Sequence, residues 1–335
     1  MIGGALKHVS YVTDQEPSPD PVGFVLEVLG QPASLILLLA GAVAVVLAVG
    51  AWLRWRPLDE AWSRFGDRAW SYRVYVPWML RLSFGLVLIG SGLTRVAFTP
   101  DLPISAGIPA LILTALGFLL LLGLAVRLGA VVALAAYALA LITEPRLIGI
   151  FDVVGGLAAI VLLGPGTPSL DDLLRAAFPR GPGARIATAV PDEARYADVV
   201  PFLLRIGLGG AFAASGIADK LLIYNRSLAT VEKYALTSVV PVEPGLWVVG
   251  TATVETALGI AILLGVATRL SAMVGFAVLT LTLFGLPDDP VIAHVGLFGL
   301  CSILVVLGAG RWSVDHMLRG RLGSGGRTPQ GSVPV

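Results

Sequence analysis

The sequence predicts an all-α integral membrane protein of about nine transmembrane helices, arranged as two tandem, parallel-oriented four-helix bundles plus one extra N-terminal helix. Three observations lead there. Hydrophobic residues make up 56% of the chain and charged residues only 13%, too few to clothe a soluble protein of this length. Windows such as 33–53, 102–126 and 245–267 run for roughly the 20 apolar residues that a spanning helix needs. The apolar stretches also repeat: Thr114-Ala115-Leu116-Gly117 with Gly123 and Arg127 recurs as Thr256-Ala257-Leu258-Gly259 with Gly265 and Arg269 at the same internal spacing. The runs are continuous rather than alternating, which excludes a β-barrel.

The repeat extends in both directions. Arg81, Gly85 and Gly92 match Arg205, Gly209 and Gly216, while Gly164-x-Gly166 with Ser169 and Asp171 matches Gly308-x-Gly310 with Ser313 and Asp315. The copies differ where it matters, since Glu255 and His294 stand in place of Leu113 and Ile150.

In chain order, residues 1–32 form an extracytoplasmic segment rich in proline, with a short apolar stretch around 24–29 at the membrane interface. Only Lys7 precedes the first apolar run, and that run is too long for a signal h-region, so no cleavable signal is expected. The extra helix is 33–53. The first, degenerate repeat is 76–174, with spans at 76–98, 105–126, 128–143 and 147–164. A linker at 175–198 with prolines and glycines has a loop's composition. The second repeat is 199–318, with spans at 199–223, 245–267, 270–286 and 291–309, and the tail 319–335 is expected to be disordered.

Orientation follows from basic residues. Arg54, Arg56, Arg64, Arg68 and Arg73, then Arg127, then Arg175, Arg180, Arg185 and Arg195, then Arg269, then Arg311, Arg319, Arg321 and Arg327 all fall on one side if nine spans alternate. That side is the cytoplasm, which puts the N-terminus outside, the C-terminus inside and the protein in the cell membrane. Each repeat has four spans, so both share one orientation, unlike the inverted repeats of many transporters.

Ionisable groups inside hydrocarbon are functional candidates by default. Glu255 sits near mid-membrane in the seventh span. Lys220, near the outer end of the sixth, is its obvious partner, with Asp219 as a competitor, and His294 lies one turn into the ninth. A histidine there exchanges protons near neutral pH. Structural ion pairing, snorkelling and backbone bonding are the competing readings of these three. We take Glu255, His294 and Lys220 as candidate catalytic residues around a pocket facing outward. Tyr224 and Trp247 at the same rim are either belt aromatics or flank a ring-shaped ligand, and Arg205, inside an apolar run, joins them as a candidate binding residue. Arg205 is also placed to pair with Asp315 or Asp198, as Arg81 is with Asp171. Arg127 and Arg269 read as caps of helix C-terminal carbonyls. Asp152 reads as the one acidic residue well inside the fifth span.

Several chemistries drop out. Cys301 is the only cysteine, so a dithiol relay within the chain is excluded. The histidines are His8, His294 and His316, and with one of them in the membrane bis-histidine haem ligation within one chain fails. No phosphate loop, zinc-type cluster or nucleic-acid signature occurs, so neither haem nor metal is expected.

The second copy resembles the DoxX family of small four-helix membrane proteins (DoxX/DoxD-like). The resemblance lies in Arg205 through Gly216 and Lys220, in Glu255-x-x-x-Gly259 with Gly265-x-x-Thr268-Arg269, in His294, and in Gly308-x-Gly310 with Ser313-x-Asp315. It covers roughly 199–318, with a weaker version over 76–174. What it implies is a membrane subunit of a redox system, including the quinone-coupled oxidation of thiosulfate found in DoxD-type proteins. A quinone is then the implied carrier, and the lipid bilayer and redox partner subunits the implied partners. A non-catalytic scaffold for soluble redox partners and a small-molecule or lipid transporter are the alternatives.

Overall fold

The computed structural model describes residues 18–55, 59–98, 102–104, 107–178 and 198–323. Among them the named elements are all helical. Helix α1 (Pro21–Gly30) is capped by Asp20, whose carboxylate accepts from Gly23 N at 2.9 Å. It meets α2 (Pro32–Trp55) at an 89° bend. Helix α3 (Asp59–Ser71) leads through a 3-10 turn into α4 (Val76–Thr94), followed by α5 (Gly107–Leu122), α6 (Val126–Thr143) and, after the 3-10 turn Pro145–Gly149, α7 (Phe151–Leu163) and α8 (Leu170–Ala177). The second half begins with α9 (Val199–Ala214), continued by a π-helical stretch, Ser215–Leu222. It goes on through α10 (Tyr224–Lys233), α11 (Pro244–Leu264), α12 (Thr268–Gly285), α13 (Val291–Leu307) and α14 (Val314–Gly323).

Five helical runs are long and apolar enough to cross a bilayer: 60–94, 126–143, 199–222, 244–264 and 268–285. The bent α1–α2 pair makes a sixth, and α5, α7 and α13 are shorter apolar helices. The chain is therefore a multi-pass membrane protein. The expected fifth span, 147–164, is shortened because its start is the Pro145–Gly149 turn. At about 1.5 Å per residue, α7 reaches only about 20 Å. This also moves Asp152 from well inside a span to the first turn of α7. At the other end α14 remains helical to Gly323, past residue 319, where the tail was expected to begin. Residues 324–335, and 179–197 of the expected linker, lie outside the described residues.

Helices α4, α5, α6 and α7 pack in a ring, and α9, α11, α12 and α13 pack in a second. Close approach is licensed by glycine. A Cβ on Gly259 would lie 2.7 Å from Gly209 O, and one on Gly85 would lie 3.0 Å from Gly117 O, so the α9–α11 and α4–α5 contacts are backbone against backbone. Between the rings α7 packs on α9 and α13 on α4, with Gly155 against Gly207 and Gly299 against Ser83. These contacts join matched positions in reverse order, as the two sides of a two-fold interface do.

The same turn is built twice at one end of the bundle. Gly123 and Gly265 take φ of +75° and +71°, and Ala125 and Ala267 follow in the left-handed region, the conformation that glycine adopts without steric cost. The carboxylate of Asp171 accepts from Ala125 N and Val126 N at 2.9 and 3.3 Å, and that of Asp315 from Ala267 N and Thr268 N at 2.7 and 2.9 Å. The expected Arg81–Asp171 and Arg205–Asp315 ion pairs do not form, because these carboxylates cap helix starts instead. Arg81 donates to the carbonyls of Leu120, Leu121, Pro165 and Pro168. Arg205 donates to the carbonyl of Trp312, and Asp198 pairs with Arg311 at 3.3 Å. Arg127 and Arg269 donate to Val161 O and Val305 O in the last turns of α7 and α13, which is the capping role read from sequence.

Candidate functional site

The site starts from the π-helical stretch. In such a coil the i→i+5 bond replaces i→i+4, and single turns of this kind recur at functional sites. Residues five apart come onto one face, and Lys220 stands five after Ser215. Its Nζ donates to Ser215 Oγ at 3.2 Å and lies 2.6 Å from Glu255 Oε2. Both side chains are 13% exposed. Glu255 is held opposite by α11, and the Gly209–Gly259 contact one turn further along brings that helix close enough for the pair to close.

Beside the pair lies a cavity of about 290 Å³. Lys220, Glu255, His294, Trp247 and Ser215 line it, together with Thr251, Ser227, Thr230 and Thr282 and the apolar side chains of Phe212, Val231, Val248, Leu279 and Leu297. The threonine and Ser227 hydroxyls donate to backbone carbonyls, Thr251 to Trp247 O, Thr282 to Val278 O, Thr230 to Arg226 O and Ser227 to Asp219 O. Their oxygens are left facing the cavity as acceptors. The walls come from α11 and α12, and Leu281 on α12, 70% exposed, shows that this wall reaches the outer surface of the bundle. Helix α10 and the turn Leu236–Ser238 close one end.

The structure thus brings Lys220, Glu255, His294 and Trp247 of the sequence candidates around one cavity. It places two others elsewhere. Tyr224 stacks on Phe24 of α1 with centroids 4.1 Å apart and planes 4° from parallel. Arg205 is 1% exposed at the Asp315 end of the bundle. Trp247 is held by a bond from Nε1 to Val240 O at 3.2 Å. His294 is fully buried, with Nε2 3.4 Å from Asp289 Oδ2 and Nδ1 3.5 Å from Pro290 O.

Asp289 is the residue that sequence reasoning missed. The signal available was its place just before Pro290, which starts α13, five residues from His294. Asp289 is 4% exposed, and burial pushes its carboxyl up to about 7, with the charge of Lys220 acting in the opposite direction. Its neighbour Asp288 is on the surface, held by Lys233 Nζ at 2.8 Å and Tyr234 OH at 2.7 Å, which lower its pKa.

The first ring has no such arrangement at the matching positions. Leu113 and Ile150 replace Glu255 and His294, and Val96 replaces Lys220. Tyr137, at the position of Leu279, is 5% exposed, donates its hydroxyl to Leu147 O and meets Phe98 edge-on at 5.4 Å. A smaller cavity of about 90 Å³ lies between the rings, lined by Ser91, Thr94 and Asp152 on one side and Ser215 and Asp219 on the other.

These features define a multi-pass helical membrane protein whose second ring holds a cavity lined by the Lys220–Glu255 ion pair and by His294. Residues 200–294 match the DoxX family model. The match runs from the start of α9 to His294, so it contains Lys220, Glu255 and the cavity lining other than Leu297. No curated protein and no solved structure matches the chain.

Proposed function

We propose that the protein is the membrane subunit of a redox system, with a quinone as the lipophilic reactant of its second ring and sulfur or thiol oxidation as the coupled chemistry. The observation that carries this reading is an apolar cavity with a single charged corner. A cavity of about 290 Å³ stands at the small end of ligand sites, sized for a ring with its tail left in the bilayer. Lys220 has three N–H donors, of which Ser215 and Glu255 take two, so one remains for a carbonyl oxygen. Glu255 supplies a carboxylate beside it that exchanges protons with a bound hydroxyl or carbonyl. The apolar walls exclude water, which strengthens both interactions.

In this reading α5, α7 and α13 complete nine crossings, the two rings descend from a tandem duplication, and the first ring, filled by Tyr137 and Phe98, braces the second. The arginine-rich ends face the cytoplasm and the cavity opens toward the other side of the cell membrane. The gathering of Arg205, Arg269 and α3 at one end, where Arg269 Nη2 bonds Gly66 O at 3.3 Å, supports that partition, with α1 against Tyr224 at the opposite end.

The test is quinone reduction by purified protein in lipid, with a thiol or thiosulfate as donor. Glu255→Gln abolishes turnover while the yield of folded protein stays the same. Unchanged turnover removes the proposal. A partner recovered stoichiometrically with wild type and with Glu255→Gln, and no quinone turnover in either, points to the scaffold instead.

A further inference from the structure

We propose that Asp289 and His294 form a proton-holding pair that links the Lys220–Glu255 cavity to the surface turn before α13. The inference deepens the proposed function and rests on it only for the use to which the proton is put.

The argument is one of donors and acceptors. Imidazole has two ring nitrogens, and in His294 each faces an oxygen: Asp289 Oδ2 at 3.4 Å from Nε2 and Pro290 O at 3.5 Å from Nδ1. A carbonyl and an ionised carboxylate only accept. A neutral ring with one N–H therefore meets one of these oxygens lone pair to lone pair. The arrangement is satisfied when the pair carries two protons, one on Nδ1 toward Pro290 O and one between Nε2 and Oδ2. That state has no net charge, whether the second proton sits on nitrogen or on oxygen. Removing it leaves one negative charge where both side chains are fully covered, an expensive outcome away from water. Both oxygens of Asp289 are buried and no described residue donates a hydrogen bond to either, which leaves His294 Nε2, at 3.4 Å, as the group placed to share a proton with Oδ2. The pair thus binds its last proton as a unit.

Position gives that proton a path. His294 lines the cavity that holds Lys220 and Glu255. Asp289 is adjacent to Asp288, which is 57% exposed. Within the pair the proton moves between Oδ2 and Nε2, 3.4 Å apart, and so shifts between the turn and a ring that lines the cavity. The charged groups on the neighbouring elements are Lys220 and Asp219 from the π-helical stretch, Glu255 from α11, Arg226 and Lys233 from α10, Asp152 from α7, whose carboxylate lies against Gly296, and Asp288 on the turn itself. Asp289 already senses the cavity, since Lys220 acts against the upward push of burial.

The test uses the full chain in lipid vesicles with no quinone present. Infrared difference titration is expected to show a buried protonated carboxyl lost as pH rises through about 7. The signal is absent in Asp289→Asn, and Lys220→Met moves its midpoint to higher pH by removing the opposing positive charge. Selective 15N labelling of histidine marks three residues, and in wild type the His294 resonances change over the same range. If the carboxyl signal survives in Asp289→Asn, or if neither the carboxyl nor His294 changes in wild type, the pair does not exist. A midpoint unmoved by Lys220→Met removes the link to the cavity. The wild-type histidine spectra decide the matter even if a variant fails to fold. A titrating pair without quinone turnover would overturn the proposed function alone, and turnover with a silent pair would overturn this inference alone.

Discussion

Lys220 Nζ lies 2.6 Å from Glu255 Oε2, and the two residues that occupy these positions in the first ring are Val96 and Leu113. One ring thus carries a buried ion pair where the other carries two aliphatic side chains, Leu113 within α5 and Val96 just past the end of α4. Desolvation makes such a pair a poor source of stability, and removing one partner strands a charge at a cost of about 3–5 kcal/mol. The expected outcome is that Lys220→Met and Glu255→Leu each lower the thermal unfolding midpoint. The double variant Lys220→Val/Glu255→Leu, which restores the first ring's choice, unfolds at or above the wild-type temperature. A double variant less stable than both singles would mean that the pair holds the ring together.

Gly259 makes a second test, because α11 touches α9 through it. A methyl group there would lie 2.7 Å from Gly209 O and 2.9 Å from Ala213 Cα. Overpacking of this kind costs about 1–3 kcal/mol, and it forces α11, with Glu255 on it, away from Lys220. Gly259→Ala is expected to lower the unfolding midpoint. Gly250→Ala on the same helix, where a Cβ meets nothing within 4 Å, is expected to leave it unchanged.

Stability should also report Asp289. Its folded carboxyl is raised to about 7 from an ordinary value of 3.8, so between these pH values the folded chain holds a proton that the unfolded chain has lost. The contribution is complete below about pH 4 and is lost as pH rises through about 7. Wild-type unfolding midpoints are expected to fall across that window, and Asp289→Asn to flatten this part of the profile. A wild-type midpoint that rises with pH there, with Asp289→Asn the same, would contradict it.

Some of this was legible before any coordinates. The repeated Gly-x-Ala-Val/Thr-Arg and Gly-x-Gly marks announce a turn used twice, because positive φ at Gly123 and Gly265 and a carboxylate cap are backbone requirements that leave residue-level traces. Glu255 and Lys220 stand out because charge in an apolar run is costly. What the sequence hides is which acceptor a charge finds. Arg81 and Asp171 look like an ion pair, yet backbone groups at helix ends take both. Helices α3 and α10 are short and amphipathic, so they read as charged loops until packing supplies their apolar face. Tyr224 sits at the right depth for a rim residue but on the α1 side, a rotation about the chain axis that hydropathy does not encode.

The first ring's filling leads to the last prediction, a reciprocal swap. Tyr137 fills its ring with a buried aromatic group whose hydroxyl satisfies Leu147 O, and the matching Leu279 leaves room that becomes part of the cavity. Tyr137→Leu removes ring volume and one of the two hydrogen bonds that Leu147 O accepts, the other coming from Ile150 N, which together cost about 2–4 kcal/mol, read as a lower unfolding midpoint. It creates no second site, because Leu113 and Ile150 offer no polar group to a ligand. Leu279→Tyr places the same bulk beside Phe212 and Leu297 in the second ring. It is expected to eliminate quinone turnover and the co-purification of any lipophilic ligand, while leaving Lys220 and Glu255 intact. If ligand occupancy survives Leu279→Tyr, the reactant does not enter between α11 and α12, and the cavity is not where it binds.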